Sequence, residues 1–294
     1  RSTLFPYTTL FRSRTGYSTS LKIEQDVGMG TLTSISQYAK ATSLVLGDFD
    51  FTPAPAIRQR VDTTVSAFNQ DLRLASAADS GVRWLFGGFY QYRLTRDGFF
   101  VDGDPAGPLA GVILANGKNR ARSEAYAVYA QLELDLPADF RLSTALRYDA
   151  DRRRDEDRLV TNSAVSHTFT ATQPQVTLSR KFGPDVNAYA TVGRGFRSGG
   201  FNAFLDASIL GVPRLYAAEE TTNYELGLKT QFFEQRLILN TAVFHTQFDG
   251  EQINVFSLTP PARTIVNFDS KIDGGEVELT AVPLRGLKIG RAHV

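Results

Sequence analysis

The chain has 294 residues, 42% of them hydrophobic and 11% aromatic, with no Cys, one Met, one Trp and a formal net charge of +1. The absence of Cys excludes a disulfide framework, a thiolate metal site and a Cys nucleophile. The near-zero charge lacks the basic footprint of a nucleic-acid partner, and the apolar, aromatic composition excludes a disordered chain. No run approaches the ~18 consecutive apolar residues of a transmembrane helix.

The two ends come first. The chain opens on Arg1, with neither an initiator Met nor a signal peptide, which reads as truncation. Residues 1–13, RSTLFPYTTLFRS, resemble the translation of a short-read sequencing adapter, residue for residue in one frame. Residues 289–294, IGRAHV, resemble the translation of the partner adapter. Both strings are set aside as non-native, leaving 14–288 as the biological segment, open at both ends. Arg1, Arg12 and Arg291 leave with them, so the charge of +1 becomes −2, and His167 and His245 are the histidines that remain.

Inside those limits one pattern repeats. Segments of roughly ten residues alternate apolar and polar side chains, the period of a strand with two unlike faces. They lie near 17–25, 30–39, 64–75, 82–93, 124–135, 140–150, 166–181, 186–194, 222–233, 236–248, 264–282 and from 286 onward. In AYAVYAQLELD, Tyr126, Val128, Ala130, Leu132 and Leu134 share one face, and Ala127, Tyr129, Gln131, Glu133 and Asp135 the other. The segments 140–149 and 223–232 repeat the pattern. Connections alternate between short turns (26–29, 76–81, 137–139, 182–185, 234–235, 283–285) and long loops (40–63, 94–123, 151–165, 195–221, 249–263).

This alternation predicts an all-β, antiparallel up-and-down transmembrane β-barrel, with short turns at one membrane face and long loops at the other. The strand lengths suit the ~9–11 residues a tilted strand needs to cross a bilayer. Tyr90, Tyr92, Tyr126, Tyr148 and Tyr224 sit beside long loops, and Phe140, Phe182, Phe232 and Phe233 beside short turns. That is the arrangement of two interfacial aromatic girdles. No helix-period segment exceeds two turns, and one domain is expected.

Several strings carry a family resemblance. They are GRGFRSGGFN at 193–202, EETTNYELGLK at 219–229 leading into QRLILNTAVF at 235–244, GGEVEL at 274–279, and NQDLRLASAADSGVRWLFGGF at 69–89. In this order and spacing they resemble the β-barrel of TonB-dependent outer-membrane receptors, over roughly residues 64–288. The resemblance implies a barrel of twenty-two strands around an N-terminal plug, of which this chain carries about twelve strands from the middle. It implies active uptake of a scarce ligand such as a ferric siderophore, cobalamin or a glycan. Its partners would be the outer-membrane bilayer, that ligand, and TonB acting through a plug domain not contained here. No cofactor, enzymatic activity or nucleic-acid partner follows from it.

Candidate chemistry is sparse. GRGFRSG at 193–199 has G-x-G-x-x-x-G spacing without a βαβ unit, and reads as a glycine-rich strand end rather than a dinucleotide loop. Asp97, Asp102 and Asp104 form one acidic run, and Asp149, Asp151, Asp155 and Asp157 a second, interrupted by Arg152, Arg153 and Arg154. Neither has the ligand order of a calcium loop, so both are expected to be solvated. No metal site is expected from His167 and His245 either. Glu133, Arg141, Arg147, Glu225 and Lys229 are expected on the lumen face, in ladders of opposite charge across strands. Phe99, Phe100, Arg197, Phe201 and Asn202, on the loops 94–123 and 195–221, are the expected ligand contacts.

Two other readings fit the alternation. A porin-like diffusion channel would begin its first strand without a plug. A secreted β-sandwich or adhesin would pack its apolar faces together and be soluble without detergent. Half a barrel would leave two unpaired edges and an unclosed lipid-facing band, so the chain alone is expected to aggregate, with 1–13 and 289–294 poorly packed.

Overall fold

The computed structural model describes residues 11–48, 56–77, 80–159, 161–258, 261–284 and 287–293. Its strands in chain order are β1 (Phe11–Asp26), β2 (Thr31–Asp48), β3 (Ile57–Ala75), β4 (Val82–Gly103), β5 (Ile113–Leu136), β6 (Phe140–Asp157), β7 (Ala164–Phe182), β8 (Val186–Arg197), β9 (Gly200–Phe201), β10 (Leu215–Tyr216), β11 (Glu219–Phe232), β12 (Leu237–Leu258), β13 (Pro261–Leu284) and β14 (Leu287–His293). One short helix, α1 (Phe204–Leu210), lies between β9 and β10. Twelve strands form one antiparallel sheet in the order β1-β2-β3-β4-β5-β6-β7-β8-β11-β12-β13-β14, and β9 pairs only with β10. Each neighbour in the large sheet is also the next sheet strand in the chain, and β1 and β14 do not meet. This is an incomplete up-and-down barrel wall.

All twelve segments expected from alternation are strands of this sheet. The long loops are different from expectation. β4 runs to Gly103 and β5 begins at Ile113, so most of 94–123 is hairpin rather than loop. The same holds at 40–63, 151–165 and 249–263, where β2, β3, β6, β7, β12 and β13 extend into the expected loops. Antiparallel ladders need only backbone groups, so pairing continues where the apolar alternation has ended.

Registers put the apolar residues in continuous rows. Tyr126 stands between Tyr90 and Ala150, Val128 between Gly88 and Tyr148, and Leu132 between Trp84 and Thr144. These side chains are exposed: Val128 is 63% accessible, Leu226 60% and Leu146 52%. Buried apolar residues among the described ones are few and mostly small: Ala127, Ala171, Ala207 and Ala262, with Leu94, Val101 and Phe169. Among the described residues no second sheet covers the apolar face, as a β-sandwich would require. The large apolar side chains thus need another apolar medium.

The aromatic residues mark the edges of this band. On the extended-hairpin side, ring pairs link neighbouring strands: Tyr17–Tyr38 at 6.1 Å, Phe68–Tyr90 at 6.5 Å and Tyr90–Tyr126 at 5.0 Å. On the short-turn side, the Arg180 guanidinium lies 4.9 Å from the Phe140 ring and 4.7 Å from the Phe182 ring. Tyr148 stands eight residues from this edge on β6, counted from Phe140, and Tyr224 eight on β11, counted to Phe232. Eight residues span about 27 Å along a strand, or roughly 20 Å along a barrel axis at a tilt near 40°.

The polar face has its own packing device. The Tyr129 ring lies against Gly87, the Tyr189 ring against Gly227 and the Phe244 ring against Gly274, each glycine being the ring residue's register partner. A Cβ on any of the three would overlap ring atoms. Tyr129 then reaches across β4 and donates its hydroxyl to Asp71 Oδ2 on β3, at 2.7 Å.

The end strings, expected to pack poorly, extend the edge ladders where they are described. Phe11–Ser13 pair with Leu44–Leu46, and Ile289–His293 with Val277–Ala281. Phe11 and Ile289 are more than half exposed. Residues 1–10 and 294 lie outside the described residues.

Candidate functional site

The charged residues of the polar face come together in groups that cross strands. Arg83 on β4 bonds Glu133 Oε2 at 3.1 Å and Asp135 Oδ2 at 2.8 Å on β5, and Arg141 on β6 bonds Asp135 Oδ1 at 2.7 Å. Glu133 and Arg141 therefore meet opposite charges from neighbouring strands. Arg147 does not: it pairs with Asp149 on its own strand at 2.7 Å and sits against the rings of Phe89 and Tyr129. Glu225 accepts the Tyr189 hydroxyl at 2.6 Å, and the Lys229 ammonium lies 5.5 Å from the same ring. Across strands, aromatic rings thus take the place of opposite charges beside Arg147, Glu225 and Lys229, while Arg147 keeps the Asp149 carboxylate of its own strand.

At the outer end of this face, the chain between β8 and β11 makes an excursion, residues 198–218, containing β9, α1 and β10. Three amides fasten it to the wall. Asn202 donates from Nδ2 to the carbonyls of Pro213 (3.0 Å) and Ile265 (2.9 Å), and accepts from the Ile265 N–H on Oδ1 (2.7 Å). Gln252 Nε2 donates to the carbonyls of Ser198 (3.0 Å) and Ala217 (3.2 Å). Asn267 accepts from the Ala217 N–H and donates to the carbonyls of Ala217 and Gly250. On the other side Arg214 reaches Asp155 on β6 at 3.2 Å, and Asp155 also accepts from Asn119 on β5 at 2.7 Å. The excursion therefore bridges β5–β6 to β12–β13, across the intervening strands.

Asn202, expected as a ligand contact, is a structural clamp. It is 5% exposed, and its side-chain oxygen and nitrogen are both engaged by backbone. Arg197 is open: its side chain is 61% exposed and its ion pair with Glu219 spans 3.7 Å. Phe201 is half-buried within the β9–β10 pair. Phe99 and Phe100 cannot act together, because adjacent strand residues point to opposite faces. Phe99 pairs with Val61 and Gly117 and has the parity of the polar face, whereas Phe100 pairs with Arg60 and Asn116 on the other.

The same parity sorts the second acidic run. Asp151 and Asp155 fall on the polar face, where Asp151 accepts from Ser123 and Arg153 and Asp155 meets Arg214. Burial pushes the Asp155 carboxyl above its ordinary value, with Asn119 and Arg214 opposing. Arg152 and Arg154 fall on the opposite face, so they do not neutralise the inward aspartates as a solvated run would. Among the described residues no group of three or more His, Asp or Glu is placed to hold a metal ion.

Asp102 of the first run is clamped. Arg58 donates from Nε to Oδ1 at 2.9 Å and from Nη2 to Oδ2 at 2.6 Å, tying the outer ends of β3 and β4. That bond holds the Asp102 carboxyl below its ordinary range. A carboxylate with a lowered folded-state pKa stabilises the fold above its unfolded value, near 4, and loses that contribution as pH falls through the folded value. Hydrogen-exchange protection of this hairpin end is thus expected to drop below about pH 4, and in Arg58→Met to be reduced at neutral pH, with variant and parent converging as pH falls through the folded value. Equal protection in the variant and the parent at neutral pH would refute it.

The sequence offered little signal for Gln252, Asn267 and Arg214. Arg214 lies 59 residues from its carboxylate partner and Gln252 lies 54 from Ser198, so neither spacing is a local motif.

Comparison with known proteins agrees with this geometry. The family described as "TonB dependent receptor-like, beta-barrel" matches residues 2–290. Among solved structures, the ferric yersiniabactin uptake receptor FyuA from Yersinia pestis superposes with a TM-score of 0.77 at 18% identity, over 96% of this chain and 43% of that one. The siderophore receptor PiuA from Acinetobacter baumannii gives 0.71 at 16% identity, over 95% of this chain and 46% of that one. The copper transporter OprC gives 0.68 at 14% identity, over 95% and 46%. The chain thus spans less than half the length of each. It belongs to the TonB-dependent receptor β-barrel family, whose members are transporters and not enzymes.

Proposed function

We propose that the chain forms part of the wall of an outer-membrane receptor that takes up a scarce ligand, with energy delivered through TonB and a plug domain that this segment does not contain. The observation that supports this reading most directly is the 198–218 excursion, held over the outer end of the polar face by amide clamps at one side and Arg214 at the other. A diffusion channel needs only an open wall. A receptor needs rigid groups at its mouth, because ordering them on binding would weaken affinity. Exposed Arg197 with Phe201 and Phe99 suits an anionic, partly aromatic ligand such as a ferric siderophore. Cobalamin or a glycan would use the same aromatic surfaces with less call on Arg197.

The test is uptake by the full receptor in cells lacking other such receptors. Ferric citrate, a ferric catecholate, a ferric hydroxamate and cobalamin are the probes, each with and without TonB. Accumulation of one probe only when TonB is present is expected. TonB-independent entry of small solutes would establish a diffusion channel instead, and a protein recovered soluble without detergent would end the membrane reading. On this reading residues 14–288 supply the wall, and 1–13 and 289–294 are adapter-derived. Parent-gene codons that continue these two strings would overturn that assignment.

A further inference from the structure

The wall forks between β7 and β8. β7 pairs with β6 from Ala164 to Arg180, but with β8 only from Gln175 to Phe182. β8 runs on to Arg197 against β11 and leaves β7 at Gly193. Residues 164–174 of β7 therefore have a sheet partner on one side only, among the described residues. Pro174 marks where the fork starts. It is the register partner of Leu146 on β6 and has no N–H, so the continuing ladder to β6 puts the backbone groups of this position on the β8 side. Hydrogen-bonding direction alternates along a strand, so Ser166, Thr168, Thr170 and Thr172 turn their N–H and C=O groups the same way. A groove of about 320 Å³ lies at the fork, lined by Pro174, Gln175, Gly193, Arg194 and Thr222 among others.

Other outer edges of the wall are capped. β12 passes the end of the β11 ladder, and there the Gln252 N–H donates to the Glu219 carboxylate at 2.8 Å. Outward of its pairing with β14, β13 has the N–H and C=O of Ile265 engaged by the Asn202 amide at 2.7 and 2.9 Å. Among the described residues no side chain does this for β7. Its one-sided stretch, AVSHTFTATQP, contains no Lys, Arg, Asp or Glu, and Pro only at its last position. Charges and prolines are the devices that blunt an exposed edge. Phe169 and Ala171 are buried on the polar face, whereas Ser166, Thr168, Thr170 and Thr172 are exposed on the other.

We propose that this edge takes an extended polypeptide segment of another protein as an added antiparallel strand. The chemistry of the edge decides the occupant. Only another extended backbone presents donors and acceptors at the repeat of the open ladder, about 7 Å. Thr172 is in register with Tyr148, so the open stretch starts at the aromatic edge and runs outward for about 27 Å. Its access from outside the cell rests on the receptor reading above. On the outward face the guest would be flanked by Arg152, beside Thr168, and by Arg194 at the fork, neither of them ion-paired among the described residues. Acidic side chains at alternate positions of the guest suit that flank. A second copy of the chain does not. Two copies in one membrane run β7 in the same sense, which permits only parallel pairing, and they bring like charges together.

Fluorescence anisotropy with labelled peptides on the full receptor in detergent micelles tests this. The probes are a synthetic ten-residue peptide alternating Val or Thr with Glu, the same peptide with Lys for Glu, and the Glu peptide N-methylated through its central six residues. The Glu peptide is expected to bind, with the Lys and the N-methylated peptides each weaker by about tenfold or more. Thr170→Pro removes an N–H on the open side and leaves the β6 ladder intact, so it is expected to weaken the Glu peptide by about tenfold or more. The N-methylated comparison uses the parent receptor and stands even where the proline variant fails to fold. No binding of the Glu peptide would overturn the proposal, as would equal affinity for the plain and N-methylated peptides or for the Glu and Lys peptides. So would undiminished affinity in a folded Thr170→Pro, or a receptor dimer in sedimentation that Thr170→Pro dissolves. A receptor that binds the peptide but imports no probe fails the transport reading alone, and one that imports but binds no peptide fails this inference alone.

Discussion

Valine at Gly87 will destabilise the receptor by about 3 kcal/mol, while valine at the neighbouring Gly88 will change stability by less than about 1 kcal/mol. The two glycines are adjacent in sequence and opposite in environment. Gly87 lies under the Tyr129 ring, where a Cβ would overlap ring carbons, and Gly88 has only the Ala127 carbonyl oxygen at 3.9 Å. A side chain at 87 forces the ring out of its seat, and with it goes the Tyr129–Asp71 bond at 2.7 Å that spans three strands. Overpacking contributes about 1–3 kcal/mol and the lost bond to a carboxylate about 1.5–3, the two overlapping because both act through the same ring. Gly274 and Gly275 repeat the contrast, with the Phe244 ring over the first and ordinary contacts at 3.5 Å or more around the second. Urea midpoints of the heat-modifiable folded form, read on gels for the four single valine variants, give the comparison. Equal midpoints for Gly87→Val and Gly88→Val would refute the ring-seat account.

The second large effect is expected at Asn202. Leucine there keeps the volume and removes every side-chain bond, leaving the Ile265 N–H and the Pro213 and Ile265 carbonyls without partners in a site where Asn202 is 5% exposed. Each unsatisfied buried group costs about 1–3 kcal/mol. The loss is local, since the twelve-strand ladder does not depend on it. Opening of residues 198–218 should become about 100-fold more frequent, for a net change of about 3 kcal/mol. Hydrogen exchange across that segment measures it directly, and transport of the accepted probe should show a raised half-saturation concentration. Arg197→Ala is the contrasting variant. Its ion pair spans 3.7 Å from a side chain that is 61% exposed, so stability should move by less than about 0.5 kcal/mol. A transport defect in Arg197→Ala would then report ligand contact. Unchanged exchange in Asn202→Leu would refute the clamp.

These two cases show where the sequence was informative. Strand positions were legible because period-two alternation is a local property, and Tyr126 through Leu134 declare one face without any knowledge of neighbours. The acidic run at 149–157 was legible as composition but not as chemistry. Only pairing shows that Asp151 and Asp155 face Ser123 and Arg214 while Arg152 and Arg154 leave by the other face. Phe99 and Phe100 were read on one loop, and pairing places them on opposite faces of β4 for the same reason. Arg147, Glu225 and Lys229 were placed on the polar face by alternation, but their partners were not readable. A Tyr seated over a glycine on the adjacent strand has no signature in either strand alone.

The sequence by itself determined the strand count, the two unlike faces, the aromatic edges and the resemblance to one receptor family. Those features repeat every two residues or lie in short strings, so local chemistry suffices to read them. The tertiary structure decided how far the hairpins continue, which residues fasten the 198–218 excursion and which rings seat on the glycines of the next strand. Each depends on register between strands tens of residues apart, and backbone pairing sets register beyond the point where apolar alternation has ended.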